Sequence, residues 1–290
     1  MRGTVDGFSH GLVTPVAAYL VACLGAALGL RCVTRSLRGR GAVRPAWSAA
    51  GALAIGTGVW TMHFIAMTGF RVAETPVGHD RSVTFASLAV AIVMTGVGTL
   101  IVGHRGATAM SLVTGGTITG LGIATMHYLG MAGVRLEGRL DYHTLTVALS
   151  VVVAVVAATS ALWAAVSARG VLPGLAACLV MGVAVAGMHY TGMAAVSVHL
   201  HGASGPAGDA GPDGSLLVPM LVGPAVFLVV AALLVAAGPL PATDGRQRRR
   251  PELRGVRRPW APARRGGAHR EPAGRPPVRP PRGRERSRDR

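Results

Sequence analysis

The sequence predicts an all-α, polytopic membrane protein: a bundle of seven transmembrane helices, built on three two-helix repeats plus a seventh helix. Half of the 290 residues are hydrophobic and only 14% are charged, whereas soluble domains usually carry about a quarter charged residues. The apolar residues fall in seven long runs, and one motif recurs in every second run. The N-terminus lacks the basic region and cleavage site of a signal peptide, so the first run is expected to be retained.

Each apolar run is long enough to cross a bilayer, which takes about 20 residues of helix. The spacing of small residues, as in Gly25/Gly29 and Gly116/Gly120, is typical of helices whose backbones approach closely in lipid. The repeats are expected at about 12–70, 83–131 and 144–196, within a membrane domain over 1–240. The individual helices are predicted at about 12–30, 47–69, 83–103, 109–131, 144–167, 171–196 and 216–238.

The placement of arginine predicts the orientation of the bundle. Basic residues concentrate in the first connecting loop and in the C-terminal tail, whereas the alternate loops are balanced or acidic. The positive-inside rule therefore places the N-terminus outside and the C-terminus in the cytoplasm. An odd number of spans agrees with this. The first loop is predicted to hold Arg31, Arg35, Arg38, Arg40 and Arg44.

The C-terminal segment 241–290 has a different composition. It carries 17 Arg and five acidic residues, is rich in Pro and Gly, and shows no apolar periodicity. We expect a disordered cytoplasmic tail. Its basic stretch could bind anionic lipid headgroups, or it could serve only to set the topology. Because the net charge of +17 is concentrated here, it does not indicate a specific nucleic-acid partner.

The recurring motif joins methionine and histidine at fixed spacing near the outer end of three predicted helices. Random placement of 11 Met and 10 His would give about 0.4 Met-His pairs, and three occur. Each His is followed by an aromatic residue and, four residues later, by a second Met. The copies are Met62-His63-Phe64-Ile65-Ala66-Met67, Met126-His127-Tyr128-Leu129-Gly130-Met131 and Met188-His189-Tyr190-Thr191-Gly192-Met193.

Helical geometry predicts which motif residues act together. A His and a Met four residues later share one helix face, as in His63/Met67, His127/Met131 and His189/Met193. Thioether and imidazole ligands favour copper, and no carboxylate is present to favour Mg²⁺ or Ca²⁺. Haem ligation is a weaker alternative. The alternative to a metal site is a purely structural role, in which the His side chains form hydrogen bonds between helices and the Met side chains fill the core. Whether the motifs form one site or pairwise sites stays open.

The three motifs resemble the MHYT domain of bacterial integral-membrane sensors. The third copy matches the naming tetrad Met188-His189-Tyr190-Thr191 in full, and the similarity extends over about residues 10–240. The resemblance implies a sensory module that binds copper and senses O₂, CO, NO or redox state. It implies as metal ligands Met62, His63, Met67, Met126, His127, Met131, Met188, His189 and Met193.

Many members of that family carry signalling domains after the membrane module. Only the Arg/Pro-rich segment follows here, with no GGDEF, EAL or kinase signature, so we expect a stand-alone module rather than an enzyme, acting through a separate cytoplasmic protein. A copper-handling or transport protein is the alternative, although no second His/Met cluster continues a path. The His199/His201 pair is interpreted as an ordinary loop pair.

Overall fold

Seven helices make up most of the described chain in the computed structural model, which describes residues 3–6, 11–38, 43–167, 170–200 and 217–237. The predicted tail 241–290, together with Arg40 and His201, lies outside the described residues. The helices are α1 Val13–Arg38, α2 Val43–Met67, α3 Arg81–Arg105, α4 Ala109–Ala132, α5 Thr144–Ser167, α6 Val171–Ala194 and α7 Leu217–Ala237.

The length and apolarity of these helices are those of a multi-pass membrane protein. Among the described residues, six helices, α1 to α6, are long and apolar enough to cross a bilayer. Helix α7 has 21 residues and contains Pro224, and its apolar stretch is shorter. The predicted helical membrane bundle is therefore confirmed, whereas the arrangement of all seven helices as spans stays a prediction.

The first predicted loop is wrong in extent. Helix α1 continues to Arg38, so Arg31, Arg35 and Arg38 lie in this helix instead of in a connecting loop. Arg44 likewise lies in the first turn of α2. Arginine is a good helix former, and its long apolar stem lets the charged group reach water from inside a helix. The guanidinium of Arg35 lies 4.7 Å from the ring centre of Trp47 on α2.

Helices α1 to α6 form a closed ring in which each packs against the next and α1 packs against α6. The even-numbered helices α2, α4 and α6 also contact one another, so they meet inside the ring. Helix α7 packs against the outside of α1 and α2, where Leu228 is its most buried described side chain. This arrangement brings the three motif-bearing helices together at the centre.

Glycine residues set the closest helix approaches. A side chain on Gly58 of α2 would place its Cβ 2.7 Å from the Cα of Gly25 on α1. The predicted packing role of Gly116 and Gly120 is also seen, because added Cβ atoms there would come within 2.5 Å of the α5 backbone. Close backbone approach of this kind is how helices pack in lipid.

Six short strands, absent from the sequence prediction, cover the end of the bundle where the motifs lie. They form three antiparallel pairs, β1 with β2, β3 with β4 and β5 with β6, and together we call them the strand cap. The backbone N–H of Gly3 also donates to the carbonyl of Val198 at 3.0 Å. The strands are β1 Val5–Asp6, β2 Arg71–Val72, β3 Gly78–His79, β4 Val134–Arg135, β5 Gly138–Tyr142 and β6 Val196–Leu200.

Asp80 joins the strand cap to helix α3. Its carboxylate accepts the backbone N–H of Val83 at 3.0 Å as the N-cap of α3, and it pairs with Arg135 at 2.6 Å. Its backbone N–H donates to the carbonyl of Gly133 at 2.8 Å. His143, which precedes α5 in the same way, donates its backbone N–H to the carbonyl of Ala195, also at 2.8 Å. The start and the end of the second repeat, and likewise of the third, are thus joined by equivalent bonds.

The Gly25–Gly58 approach predicts a sharp difference between two Gly→Ala variants. Gly58→Ala forces α1 and α2 apart and should lower the free energy of unfolding by about 1–3 kcal/mol, the usual cost of overpacking. Gly174→Ala on α6 is the matched control, because an added Cβ there meets no atom within 4 Å. Thermal unfolding of both variants in detergent measures the difference, and equal midpoints would contradict the packing assigned to Gly58.

The Asp80–Arg135 pair predicts a pH-dependent stability. The hydrogen bond from Arg135 lowers the pKa of the Asp80 carboxyl below its ordinary value. A depressed pKa stabilises the fold above the unfolded pKa of about 3.9, and this stabilisation is lost as the pH falls through the folded pKa. Asp80→Asn keeps the capping oxygen but loses the ion pair, so its melting temperature should lie below the wild-type value at pH 7. The two values should converge below pH 4.

Arg135→Gln should reproduce this pattern, because it removes the other half of the same ion pair. If the difference in melting temperature between wild type and Asp80→Asn were the same at pH 7 and at pH 3, the ion pair would not be the cause of that difference.

Candidate metal centre

The three motif histidines lie at matching positions in the last two turns of the even-numbered helices. His63 is on α2, His127 on α4 and His189 on α6. Each side chain is at most 1% exposed. Because the three helices meet inside the ring and end under the strand cap, their equivalent residues are brought to one level. The three motifs therefore contribute to one shared site, which resolves the alternative of separate pairwise sites.

The imidazole rings form a nearly symmetrical triangle. Their centroids are 4.9, 5.0 and 5.2 Å apart, and each ring stands at 74° to 89° to its neighbours. The Nδ1 atom of His63 lies 3.0 Å from Nδ1 of His189 and 3.2 Å from Nδ1 of His127. The same nitrogen of each ring thus faces the centre of the triangle.

The aromatic residue of each motif holds the histidine beside it. Edge-to-face contacts join His63 to Phe64 at 4.6 Å, His127 to Tyr128 at 4.8 Å and His189 to Tyr190 at 5.0 Å between ring centroids. Such contacts are a favoured geometry of aromatic pairs. The internal repeat therefore extends to side-chain geometry, and the aromatic residue of each motif orients the imidazole ring beside it.

The small residue of the motif makes room for a neighbouring imidazole. A Cβ added to Gly130 on α4 would lie 2.7 Å from Nε2 of His63, and one added to Gly192 on α6 would lie 2.4 Å from Nε2 of His127. The outer nitrogens of His63 and His127 are thus set against the backbone of a neighbouring helix. Both Nε2 atoms are buried and have no hydrogen-bond partner among the described residues. Nδ1 is the nitrogen that faces the neighbouring imidazoles.

The two Nδ1–Nδ1 distances from His63 are compatible with a single metal ion. Metal–imidazole bonds of about 2.0–2.1 Å place the nitrogens of three such ligands about 3.3–3.5 Å apart, close to the observed 3.0 and 3.2 Å. Three lone pairs that meet at one point need protons or a cation between them, and a bound cation satisfies all three together. Among the described residues, these histidines form the one group of three potential ligands found.

The six motif methionines surround this triangle in the hydrophobic core. Met62, Met67, Met126, Met131 and Met188 are at most 3% exposed, and Met193 is partly buried against the same core. Burial of these thioethers is expected both for ligands of a soft metal and for ordinary core residues, so it does not distinguish the two roles. Their role as ligands stays a prediction.

Two aromatic residues of the strand cap, which the sequence analysis did not single out, contact the aromatic residues of the motifs. His79 on β3 contacts Phe64 edge-to-face at 5.9 Å, and Tyr142 on β5 contacts Tyr128 at the same distance. His79 and Tyr142 each lie two residues before an odd-numbered helix begins. This matching position in the sequence is the signal that could have identified them. Burial lowers the pKa of His79 to about 4, so this ring is neutral at ordinary pH.

The remaining candidates of the sequence lie away from the triangle. His199 is on β6, where its Nε2 lies 3.4 Å from a carboxylate oxygen of Asp141. Cys32 and Cys178 are buried, Cys23 is half-buried, and all three are free thiols. None of these residues belongs to the three-histidine group.

Comparison with known proteins places this geometry in a family. The MHYT model, described as a bacterial signalling protein N-terminal repeat, matches residues 56–115 and 120–178. The first match contains His63 and the second contains His127, so two of the three motifs lie in matched segments. No solved structure matches the chain.

Three curated relatives are, by name, two cyclic di-GMP enzymes and one signaling protein. The bifunctional diguanylate cyclase/cyclic di-GMP phosphodiesterase MucR of Pseudomonas aeruginosa is 34% identical over 79% of this chain and 34% of its own length. The cyclic di-GMP phosphodiesterase NbdA of the same organism is 33% identical over 80% and 30%. An uncharacterized signaling protein of Caulobacter vibrioides is 31% identical over 77% and 26%. The chain spans about a third or less of the length of these relatives.

The glycine contacts predict a selective effect on each imidazole. Gly130→Ala should displace the ring of His63, and Gly192→Ala should displace that of His127, because the new Cβ would overlap Nε2. In protein labelled with ¹⁵N-histidine, each variant should shift chiefly the ring resonances of its own partner. Gly187→Ala is the control, because a Cβ there meets no atom within 4 Å. Unchanged histidine resonances in both variants would contradict the geometry.

Proposed function

The chain belongs to the MHYT family of bacterial signalling proteins, and we propose that its bundle is a sensory module of the plasma membrane with copper bound by His63, His127 and His189. The observation that carries this proposal is the meeting of three Nδ1 atoms in a site at most 1% exposed. The sensed ligand is a diatomic gas, O₂, CO or NO, or the redox state of the metal itself.

Charge favours Cu(I) over divalent ions. The energetic cost of moving an ion into a medium of low dielectric rises with the square of its charge, and the three-histidine group contains no carboxylate. A divalent ion would therefore need a hydroxide or another anion beside it, whereas Cu(I) brings a single charge to three neutral rings. Soft thioethers nearby favour the same ion.

The motif methionines supply the rest of the coordination environment in this proposal. Met67, Met131 and Met193 follow their histidines by one turn and end the motif-bearing helices, so their thioethers are available at the outer side of the triangle. Met62, Met126 and Met188 precede the histidines and line the same core. A Cu(I) ion held by three imidazoles keeps a fourth position, which a thioether or a gas molecule can occupy.

The proposed orientation places the strand cap outside the cell. Helix α1 begins at the capped end and ends with Arg31 and Arg35 at the opposite end, where basic residues mark the cytoplasmic side. Seven spans then give an outer N-terminus and a cytoplasmic C-terminus. The tail 241–290 would lie among anionic headgroups and could contact a separate cytoplasmic signalling protein.

Sensing requires two bundle states that bind the ligand differently. The triangle joins three helices of the ring, so a change in copper coordination would act on α2, α4 and α6 together. A transport role is less favoured, because the described residues contain a single group of this kind and no second group deeper in the bundle. We therefore assign the site to regulation.

Copper binding by purified protein tests this assignment. Protein reconstituted with Cu(I) in a lipid nanodisc should hold one copper per chain, by elemental analysis. His63→Ala, His127→Ala and His189→Ala should each lower the affinity at least about tenfold, because each removes one ligand. His104→Ala is the control, since this exposed residue bonds only its own helix, at the carbonyl of Leu100.

Two results would overturn the proposal. Wild-type protein that holds no copper after reconstitution would exclude the metal assignment. Vesicles that accumulate copper only when they contain the protein would show transport in place of sensing.

A further inference from the structure

A cavity lies inside the ring, beneath the histidine triangle. It has a volume of about 40 Å³ and is lined by residues from all six ring helices. We call it the axial chamber. Its upper wall includes Val59, Ile123 and Val185, each of which precedes a motif histidine by four residues. Because four residues are about one helical turn, the chamber lies one turn deeper than the three imidazoles.

The wall of the chamber is polar on one side only. The second repeat contributes Thr95, Thr99 and Thr119. Counted from the histidines, Thr119 corresponds to Ile55 in the first repeat and to Met181 in the third, and both of these also line the chamber. The chamber therefore has the threefold plan of the bundle and a hydroxyl-bearing side supplied by α3 and α4.

Two of these hydroxyls lack a partner. Thr95 is 1% exposed and Thr119 is 5% exposed, and neither Oγ1 has a hydrogen-bond partner among the described residues. Thr99 differs, because its hydroxyl donates to the carbonyl of Thr95 at 2.9 Å. A buried hydroxyl without a hydrogen bond is costly, and ordered water is the usual remedy in protein interiors.

We propose that the axial chamber is a binding site for one water molecule, held by the hydroxyls of Thr95 and Thr119. About 10–15 Å³ of space that a water-sized sphere can occupy is enough for one water molecule, so a chamber of about 40 Å³ admits one. Apart from Thr99, the remaining wall consists of alanine, branched aliphatic side chains and Met181, so the polar partners of the water all lie on the second repeat. An apolar gas atom would fit the volume but would leave both hydroxyls unpaired.

The chamber site does not depend on a metal at the histidine triangle. One layer of side chains, Val59, Ile123 and Val185, separates the water from the three imidazoles. The water gives the bundle a hydrogen-bonded centre between α3 and α4, beside otherwise apolar helix contacts. A failure of copper binding would leave this inference untouched, and the reverse also holds.

Radiolytic labelling of the full-length protein in nanodiscs tests the site. Hydroxyl radicals form from bound water, so Met181, whose side chain lines the chamber, should be oxidised in the wild type. The double variant Thr95→Val/Thr119→Val keeps the side-chain shape and removes both hydroxyls, and it should lower oxidation of Met181 several-fold. Thr14→Val is the matched control, because its hydroxyl is also buried without a partner but lies elsewhere.

A second variant separates loss of water from loss of fold. Thr95→Ser/Thr119→Ser keeps both hydroxyls and should retain the wild-type oxidation of Met181. In a high-resolution structure of the wild type, a density peak should lie about 2.7–3.2 Å from both oxygens. Equal oxidation in the wild type and the valine variant would overturn the inference. So would a dry chamber that fills with xenon under pressure.

Discussion

The Nδ1 atoms of His63, His127 and His189 meet inside the ring of helices, where the side chains are at most 1% exposed. Three imidazoles in this position cannot exchange their hydrogen bonds for water, so the surrounding structure must fix every ring and supply a shared partner. Much of the local architecture serves this requirement. The even-numbered helices meet at the centre, an aromatic residue stands beside each ring, and glycine on the next helix leaves space for an imidazole edge.

The repeat explains how one chain builds a threefold site. Each even-numbered helix presents its histidine from the same turn and in the same direction, so the three rings relate to one another almost identically. The strand cap follows the same repeat, since the backbone N–H groups of Asp80 and His143, which precede α3 and α5, each bond the end of their own two-helix repeat. The symmetry is broken beneath the triangle, where the second repeat alone brings unpaired threonine hydroxyls to the axial chamber. The bundle thus combines a symmetrical outer site with an asymmetrical inner one.

The sequence predicted the helices and the matching depth of the three motifs, because apolar run length and a fixed Met-His spacing are local properties of the chain. It left open whether the motifs form one site, because that depends on how distant helices pack. The sequence could not predict that the histidine Nδ1 atoms face the centre of the triangle. Their direction depends on the rotation of each helix and on the space that Gly130 and Gly192 leave for the neighbouring imidazoles. The strand cap was missed because strands of two residues, such as β1 and β2, carry no periodic pattern and depend on pairing between distant loops. Arg31 and Arg35 were placed in a loop because charge was given more weight than the tendency of arginine to extend a helix.

Copper-edge X-ray absorption of the reduced, reconstituted protein tests the central claim most directly. The account predicts Cu(I) with about three nitrogen ligands at about 2.0 Å, with imidazole scattering that weakens when any one of His63, His127 and His189 is replaced. Any sulfur near 2.3 Å would add the motif methionines to the ligand set. A copper ion coordinated mainly by oxygen, or an imidazole signal unaffected by the three substitutions, would contradict the account.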